Sequence, residues 1–322
     1  VKKYARWIPI SKYRRDFRNT ILDALDKSQY LALGQYATLI TPPPPNNDRE
    51  LKKQILKQNV RIIEIEIASF CNRKCWFCPN SLIDRKSQNI ELPEATYLKL
   101  INNLAEIDYD KLLNFHRFNE PLANKDLILK RVKQARSALP RAKLGIYTNG
   151  DYLDRAYLDE LREAGVTLMI MSYYFEKNKQ FDIKSVETAM EAKARKLGLQ
   201  YKINRNDIAR YELKLLYKGI DIIYQCWNPD AEMVNRAGTL ETNKKKRTYP
   251  CYAPLHEIYV DYNGLMMPCC NMRSDEKSHQ NFVLGDANES DIFDLFMNER
   301  FIKMRKDLMS NVPKYAPCEY CT

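Results

Sequence analysis

The chain has 322 residues, 45% hydrophobic and 29% charged, enough to bury a sizeable core and too apolar to be disordered as a whole. Its 52 basic and 41 acidic residues give a net charge of +11, which points to an anionic partner without choosing among nucleic acid, a phosphorylated metabolite and an acidic peptide. No two of the nine glycines form a G-x-G, none precedes Lys-Ser or Lys-Thr, and His256-Glu257 has no second His four residues on, so dinucleotide-fingerprint, P-loop and zincin chemistries are excluded.

In chain order, Ser11 can cap a helix whose apolar positions Tyr13, Phe17, Ile21 and Leu25 recur at three- and four-residue spacing. Pro42-Pro43-Pro44-Pro45 cannot be helix or central strand and reads as a stiff linker, so residues 1–47 are expected to be a helical N-terminal extension. From residue 61 the texture becomes strand and helix in alternation. Residues 61–68 alternate Ile with Glu, 111–118 and 143–148 are strand-like, 167–172 is nearly continuous apolar, and helix patterns fall at 93–107, 124–138, 152–164 and 182–198. Repeated βα units predict a parallel α/β sheet, open or barrelled, over residues 48–240. A strand ending at Arg205 and another over 221–227 follow. Residues 256–260, the turn Tyr262-Asn263-Gly264 and 265–268 read as a hairpin, and an amphipathic helix at 289–308 leads to a C-terminal Cys-x-x-Cys, giving a small last domain over 241–322. The basic run Lys244-Lys245-Lys246-Arg247 reads most simply as a solvated loop. No apolar run of roughly 18 residues and no export signal occurs, so a cytoplasmic protein with no membrane partner is expected.

Nine cysteines in such a chain call for metal or redox chemistry rather than disulfides. Cys71, Cys75 and Cys78 follow directly on the first strand, and Cys-x3-Cys-x2-Cys puts three thiolates on one loop, enough for three irons of a cubane while the fourth stays open. A structural zinc would ordinarily take four protein ligands. A second set, Cys251, Cys269, Cys318 and Cys321, can ligate one more cluster or a zinc ion. Cys269 has an immediate rival in Cys270.

The Cys71–Cys78 loop, with Phe77 before its last cysteine, resembles the radical S-adenosylmethionine (SAM) superfamily. The resemblance implies a partial (β/α)6 TIM-type barrel, S-adenosylmethionine as cofactor and a 4Fe-4S cluster on the loop. It carries further motifs. Asn119-Glu120-Pro121 stands where the family has Gly-Glu-Pro, Thr148-Asn149-Gly150 resembles Thr-Asn-Gly, and Ser172 and Arg205 end strands where ribose or carboxylate contacts occur. The second cysteine set, its Gly264-x4-Cys269 spacing and Asn235-Arg236-Ala237-Gly238 resemble the shortened SPASM, or twitch, extension, which implies a second 4Fe-4S cluster and prefers Cys269 to Cys270. Such enzymes generate a 5′-deoxyadenosyl radical that abstracts hydrogen from unactivated carbon. The implied substrate is a sugar-like, anionic or nucleotide-linked small molecule, with flavodoxin or ferredoxin as electron donor. Cys226, at the end of an apolar strand, is a candidate hydrogen donor that would turn dehydrogenation into epimerisation, and is otherwise a small buried hydrophobe. The alternatives are maturation of a ribosomal peptide and a non-catalytic zinc protein that binds nucleic acid.

Overall fold

The computed structural model describes residues 20, 34–42, 48–174, 181–241 and 246–321. The helix expected after Ser11 lies outside these, as do Pro43, Pro44, Pro45, Lys244 and Lys245.

The elements follow the local signals. Helix α1 (Arg49–Asn59) opens on Asp48, whose carboxylate accepts from the Glu50 and Leu51 amides, and leads into β1 (Ile62–Ile65). Next come α2 (Glu94–Glu106), β2 (Leu112–Asn114), α3 (Lys125–Ala138), β3 (Lys143–Thr148), α4 (Arg155–Ala164), β4 (Leu168–Ser172) and α5 (Ile183–Lys196). Asn124, Asp154 and Asp182 cap α3, α4 and α5 through their side chains. Gly165, at φ +112°, ends α4 in the left-handed region, where an L side chain would be strained. Strands β5 (Gln200–Asn206), β6 (Arg210–Leu216) and β7 (Asp221–Trp227) follow without an intervening helix. The C-terminal part adds β8 (Glu257–Val260), β9 (Leu265–Met267), β10 (Gly285–Asp286), α6 (Ile292–Phe296) and α7 (Glu299–Leu308). The single amphipathic helix expected at 289–308 is thus two, because Asn298 caps a new helix by accepting from the Phe301 amide.

All ten strands join one sheet in the order β10-β9-β8-β1-β2-β3-β4-β7-β6-β5. The six central strands, β8 to β7, are parallel, and an antiparallel hairpin extends each edge. The expected barrel strands are present with one rearrangement. The strand carrying Arg205 is β5, at the sheet edge, paired only with β6. Three residues join β5 to β6, too few for a crossover, so the pair must be antiparallel. The sixth parallel strand, β8, comes from the C-terminal extension and pairs with β1 from Ile62↔Glu257 to Ile65↔Val260, so the sheet runs across the boundary expected at 240.

The pleat divides the sheet chemically. Ile63, Ile65 and Ile67 are almost completely buried in the helix-side core with Leu113, Leu144, Ile146, Met169 and Met171. The alternate residues, among them Glu64, Asn114, Tyr147 and Gln225, face the inner surface. Gly145 is required there, because a Cβ would sit 2.2 Å from Asn114 Oδ1. Before the prolines, Leu39 is fully buried and Tyr36 nearly so. The Tyr36 hydroxyl lies 3.1 Å from His256 Nε2, and Arg305 reaches the Leu39 carbonyl. At least this part of the N-terminal segment belongs to the core rather than to an uncoupled accessory.

Candidate active site

The loop after β1 is fixed by backbone bonds before its thiols do any chemistry. The Cys71 amide donates to the Arg85 carbonyl at 2.9 Å, and the Cys78 amide closes a turn on the Cys75 carbonyl, also at 2.9 Å. All three thiols face one cleft of about 270 Å³ at the C-terminal ends of the parallel strands, where such sheets place ligands. Burial pushes the Cys71 thiol up to about 11 and that of Cys75 to about 12. Cations bound there would have to displace protons from both, which couples metal uptake to proton release.

Phe118, Asn119, Glu120, Thr148, Asn149, Ser172 and Trp227 line the same cleft. The Glu120 amide donates to the Phe70 carbonyl at 2.8 Å, which docks the Glu-Pro segment on the thiol loop. The Glu120 carboxylate accepts from Thr148 Oγ1 at 2.6 Å, the Asn149 amide at 2.8 Å and the Leu122 amide at 3.1 Å. Desolvation outweighs these bonds and raises Glu120 from 4.5 to about 7. Pro121 begins a single 3-10 turn behind it. Asn119 uses its Oδ1 on the Arg117 amide and leaves its buried Nδ2 without a partner. Asn149 ties the third strand to the loop through Asn72 at 2.8 Å, and Arg73 pairs with Asp151 beside it. Phe77 packs at 4.8 Å from both Tyr174 and Trp227, an aromatic wall across the cleft.

The inner surface deeper in the cleft is polar. His116 stacks on Tyr147 at 4.7 Å and 6°, Arg117 sits 3.3 Å from Glu64, and Arg236 donates to Asn271 at 3.1 Å. Burial and the cations Arg117 and Arg236 hold His116 well below its ordinary range, so it is neutral, and its Nδ1 has no protein partner. No sequence motif marks His116, Arg117 or Tyr147. Their shared orientation depends on strand register.

Two expected site residues lie elsewhere. Cys226 is completely buried in the helix-side core with Ile222 and Tyr224, and its neighbours Gln225 and Trp227 line the cleft, so the pleat turns its thiol away from the lumen. Burial raises that thiol to about 12. Arg205 is on the edge strand, more than a third exposed and paired with Asp207, and does not line the cleft.

Cys251, Cys269, Cys318 and Cys321 line a second, smaller cavity of about 180 Å³, between the segment after β9 and the chain end. Cys318 and Cys321 are joined by a turn, the Cys321 amide donating to the Cys318 carbonyl at 3.2 Å. Burial raises all of Cys251, Cys269 and Cys318, to about 12 for Cys318. The four thiols line this one cavity, although among the described residues no three His, Cys, Asp or Glu side chains stand close enough together to hold a metal ion. Cys270 does not line that cavity. Burial raises its thiol to about 12, and the charges of Arg117, Glu257, Glu64 and Arg236 act on it.

Comparisons with known proteins agree with this division. The radical SAM superfamily profile matches residues 65–195, and that of SPASM, an iron-sulfur cluster-binding domain, matches residues 251–322. The chain thus carries a radical SAM domain and a SPASM domain. A relative from Niallia circulans described as an S-adenosyl-L-methionine-dependent 2-deoxy-scyllo-inosamine dehydrogenase is 29% identical over 249 residues, 77% of this chain and 86% of its own length. The crystal structure of BtrN in complex with AdoMet and 2-DOIA is 27% identical with a TM-score of 0.56, covering 78% of this chain and 88% of that one. The open conformation of BtrN is 25% identical with a TM-score of 0.51, covering 78% and 86%. The radical SAM and SPASM domains imply S-adenosylmethionine and 4Fe-4S clusters, for which the two thiol sets are the fitting donors. No helix among the described residues is long and apolar enough to cross a membrane.

Proposed function

We propose that this radical SAM protein is a dehydrogenase that removes two hydrogens from a carbohydrate-like ring, a hydroxyl-rich carbocycle or sugar of the aminocyclitol type. The observation that carries the reading is the polar lumen between the two thiol sets. His116, Arg117, Tyr147, Gln225 and Arg236 offer donors and acceptors on one surface, as a polyhydroxylated ring requires. Cys71, Cys75 and Cys78 would hold a cluster that, with S-adenosylmethionine and on reduction, would supply the radical for hydrogen abstraction from carbon, and Cys251, Cys269, Cys318 and Cys321 would hold a second cluster able to accept an electron.

The chain's own residues bind, orient and exclude water. Phe77, Tyr174 and Trp227 wall the cleft against solvent, which a reactive radical demands. Glu120 holds Thr148 and the Asn149 amide in place, fixing the strand end against the thiol loop. Arg117 and Arg236 present cations to substrate hydroxyls, and neutral His116 keeps an acceptor or donor for one of them. The reading requires a one-electron donor of the flavodoxin or ferredoxin type.

Reduced, reconstituted protein incubated with S-adenosylmethionine and 2-deoxy-scyllo-inosamine, alongside a panel of other aminocyclitols and aminosugars, is expected to yield 5′-deoxyadenosine and a product two hydrogens poorer. A second reading, epimerisation, is favoured by one observation: the Cys270 thiol feels the charges of Arg117 and Arg236, both of which line the cleft. In deuterated water that outcome would place one deuterium at an inverted carbon and would be lost in Cys270→Ala. Unchanged panel compounds beside a modified peptide substrate would contradict both.

A further inference from the structure

Each thiol set has one asparagine amide beside it, and each of those asparagines is held by an arginine. In the first cysteine loop, Asn80 is 2% exposed. Its Nδ2 donates to the Phe118 carbonyl at 2.7 Å, and its amide lies in the same cleft as the Cys71 thiol, where it works against the upward shift that burial imposes on that thiol. Its Oδ1 accepts from Arg273 Nη1 at 3.0 Å. Arg273 is completely buried, lies 4.7 Å over the Phe118 ring and donates to Asp275 at 2.8 Å. Asp275 binds Arg85 at 2.9 Å, and Arg85 reaches Glu66 at 3.2 Å, so two buried cations face two carboxylates and the network is balanced. In the second set, Asn271 Nδ2 donates to Cys321 Sγ at 3.6 Å, and its Oδ1 accepts from Arg236 Nη1 at 3.1 Å.

The repeated arrangement has a chemical consequence. An amide N–H aimed at a ligating sulfur withdraws electron density from it and raises the reduction potential of the cluster it holds. An asparagine whose oxygen is engaged by an arginine has its NH2 end fixed, because the flipped amide would set two donors against each other. Arg273 comes from the extension and Asn80 from the barrel, so the extension sets the orientation at the first loop. Arg236 lines the substrate cleft, so the substrate side sets the orientation at the second.

We propose that Arg273–Asn80 and Arg236–Asn271 are positioning pairs that direct one amide hydrogen bond onto Cys71 and onto Cys321, and thereby tune the potentials of the two clusters separately. This rests on reading the two thiol sets as separate cluster sites. The step is electrostatic, and no bond forms or breaks.

The test is an electron-paramagnetic-resonance redox titration of reconstituted wild type, Asn80→Ala and Asn271→Ala, each cluster followed by its own signal. Each variant is expected to move only its own cluster to a more negative potential. The expected size is about a tenfold fall in the reduced-to-oxidised ratio at fixed poise, which is 59 mV for a one-electron couple. If an Ala variant loses its iron, Asn80→Asp or Asn271→Asp decides, since a carboxylate keeps the arginine contact, removes the donor and is expected to shift the potential in the same direction. Two wild-type signals with no shift in the variants, or with both clusters moving together in each variant, would overturn the pairs while leaving the two-site reading intact. A single wild-type cluster signal would overturn that reading and the proposal with it.

Discussion

Glu120 sits at the junction of loop, Glu-Pro turn and third strand, and its burial makes it pH-sensitive. Its folded value of about 7 lies above the ordinary 4.5, so the folded state binds the proton more tightly and stability is lost as pH rises between those values. The size is up to about 3 kcal/mol for that shift. Metal-free wild type is expected to lose stability in denaturant titrations between pH 4.5 and pH 7, and Glu120→Gln to flatten that slope; an identical slope in both would refute the assignment. Cys269 and Cys270 are adjacent in sequence, yet only Cys269 lines the second thiol cavity, so their variants separate cleanly. Cys269→Ala is expected to cost about four irons and Cys270→Ala none, by iron analysis of reconstituted protein. Cys226→Ala leaves the lumen untouched and removes a buried sulfur from the helix-side core. It is expected to keep 5′-deoxyadenosine release and to lower stability by about 1–2 kcal/mol, as small core truncations do. Loss of that release with normal iron would restore Cys226 to the chemistry. The cysteines of the two sets were legible because ligand spacing is local, and the parity of Cys226 with Ile222 and Tyr224 was legible too, though only the register with β4 tells which parity faces the lumen.

At the scale of elements, the helix boundaries followed from caps and periodicity, and the strands from apolar texture. What sequence could not fix was pairing. Arg205 lies at the end of a strand as expected, yet a three-residue connection makes that strand the first, outermost arm of an edge hairpin, and its charge goes to Asp207 and solvent. Likewise β8 belongs by sequence to the last domain and by hydrogen bonding to the central sheet. Contacts such as Arg273 to Asn80 join residues 193 apart and leave no local signal. Two element-scale changes test the packing. Gly145→Ala would push a methyl into Asn114 Oδ1 and the Leu112 side chain, and is expected to cost about 1–3 kcal/mol and to disturb the inner face of β2. Deleting residues 1–47 removes Tyr36 and the fully buried Leu39 from α7 and its surroundings, with an expected loss of about 2–5 kcal/mol in thermal or denaturant unfolding. An unchanged melting profile for that truncation would show that the segment is an accessory after all.

For the whole molecule, one sheet carries two thiol sets and a polar lumen between them, with apolar helices behind. The isoleucine-glutamate alternation of β1 expresses that division in the sequence itself: isoleucines pack on helices, and glutamates face arginines and Tyr259 from the inner surface. The most direct test of the account is the fate of S-adenosylmethionine with anaerobically reconstituted, reduced protein. Wild type is expected to release 5′-deoxyadenosine and methionine, and Cys75→Ala to release neither, because a cubane with an open iron cannot be held by the two thiols that remain. S-adenosylhomocysteine as the only product, or 5′-deoxyadenosine undiminished in Cys75→Ala, would contradict it.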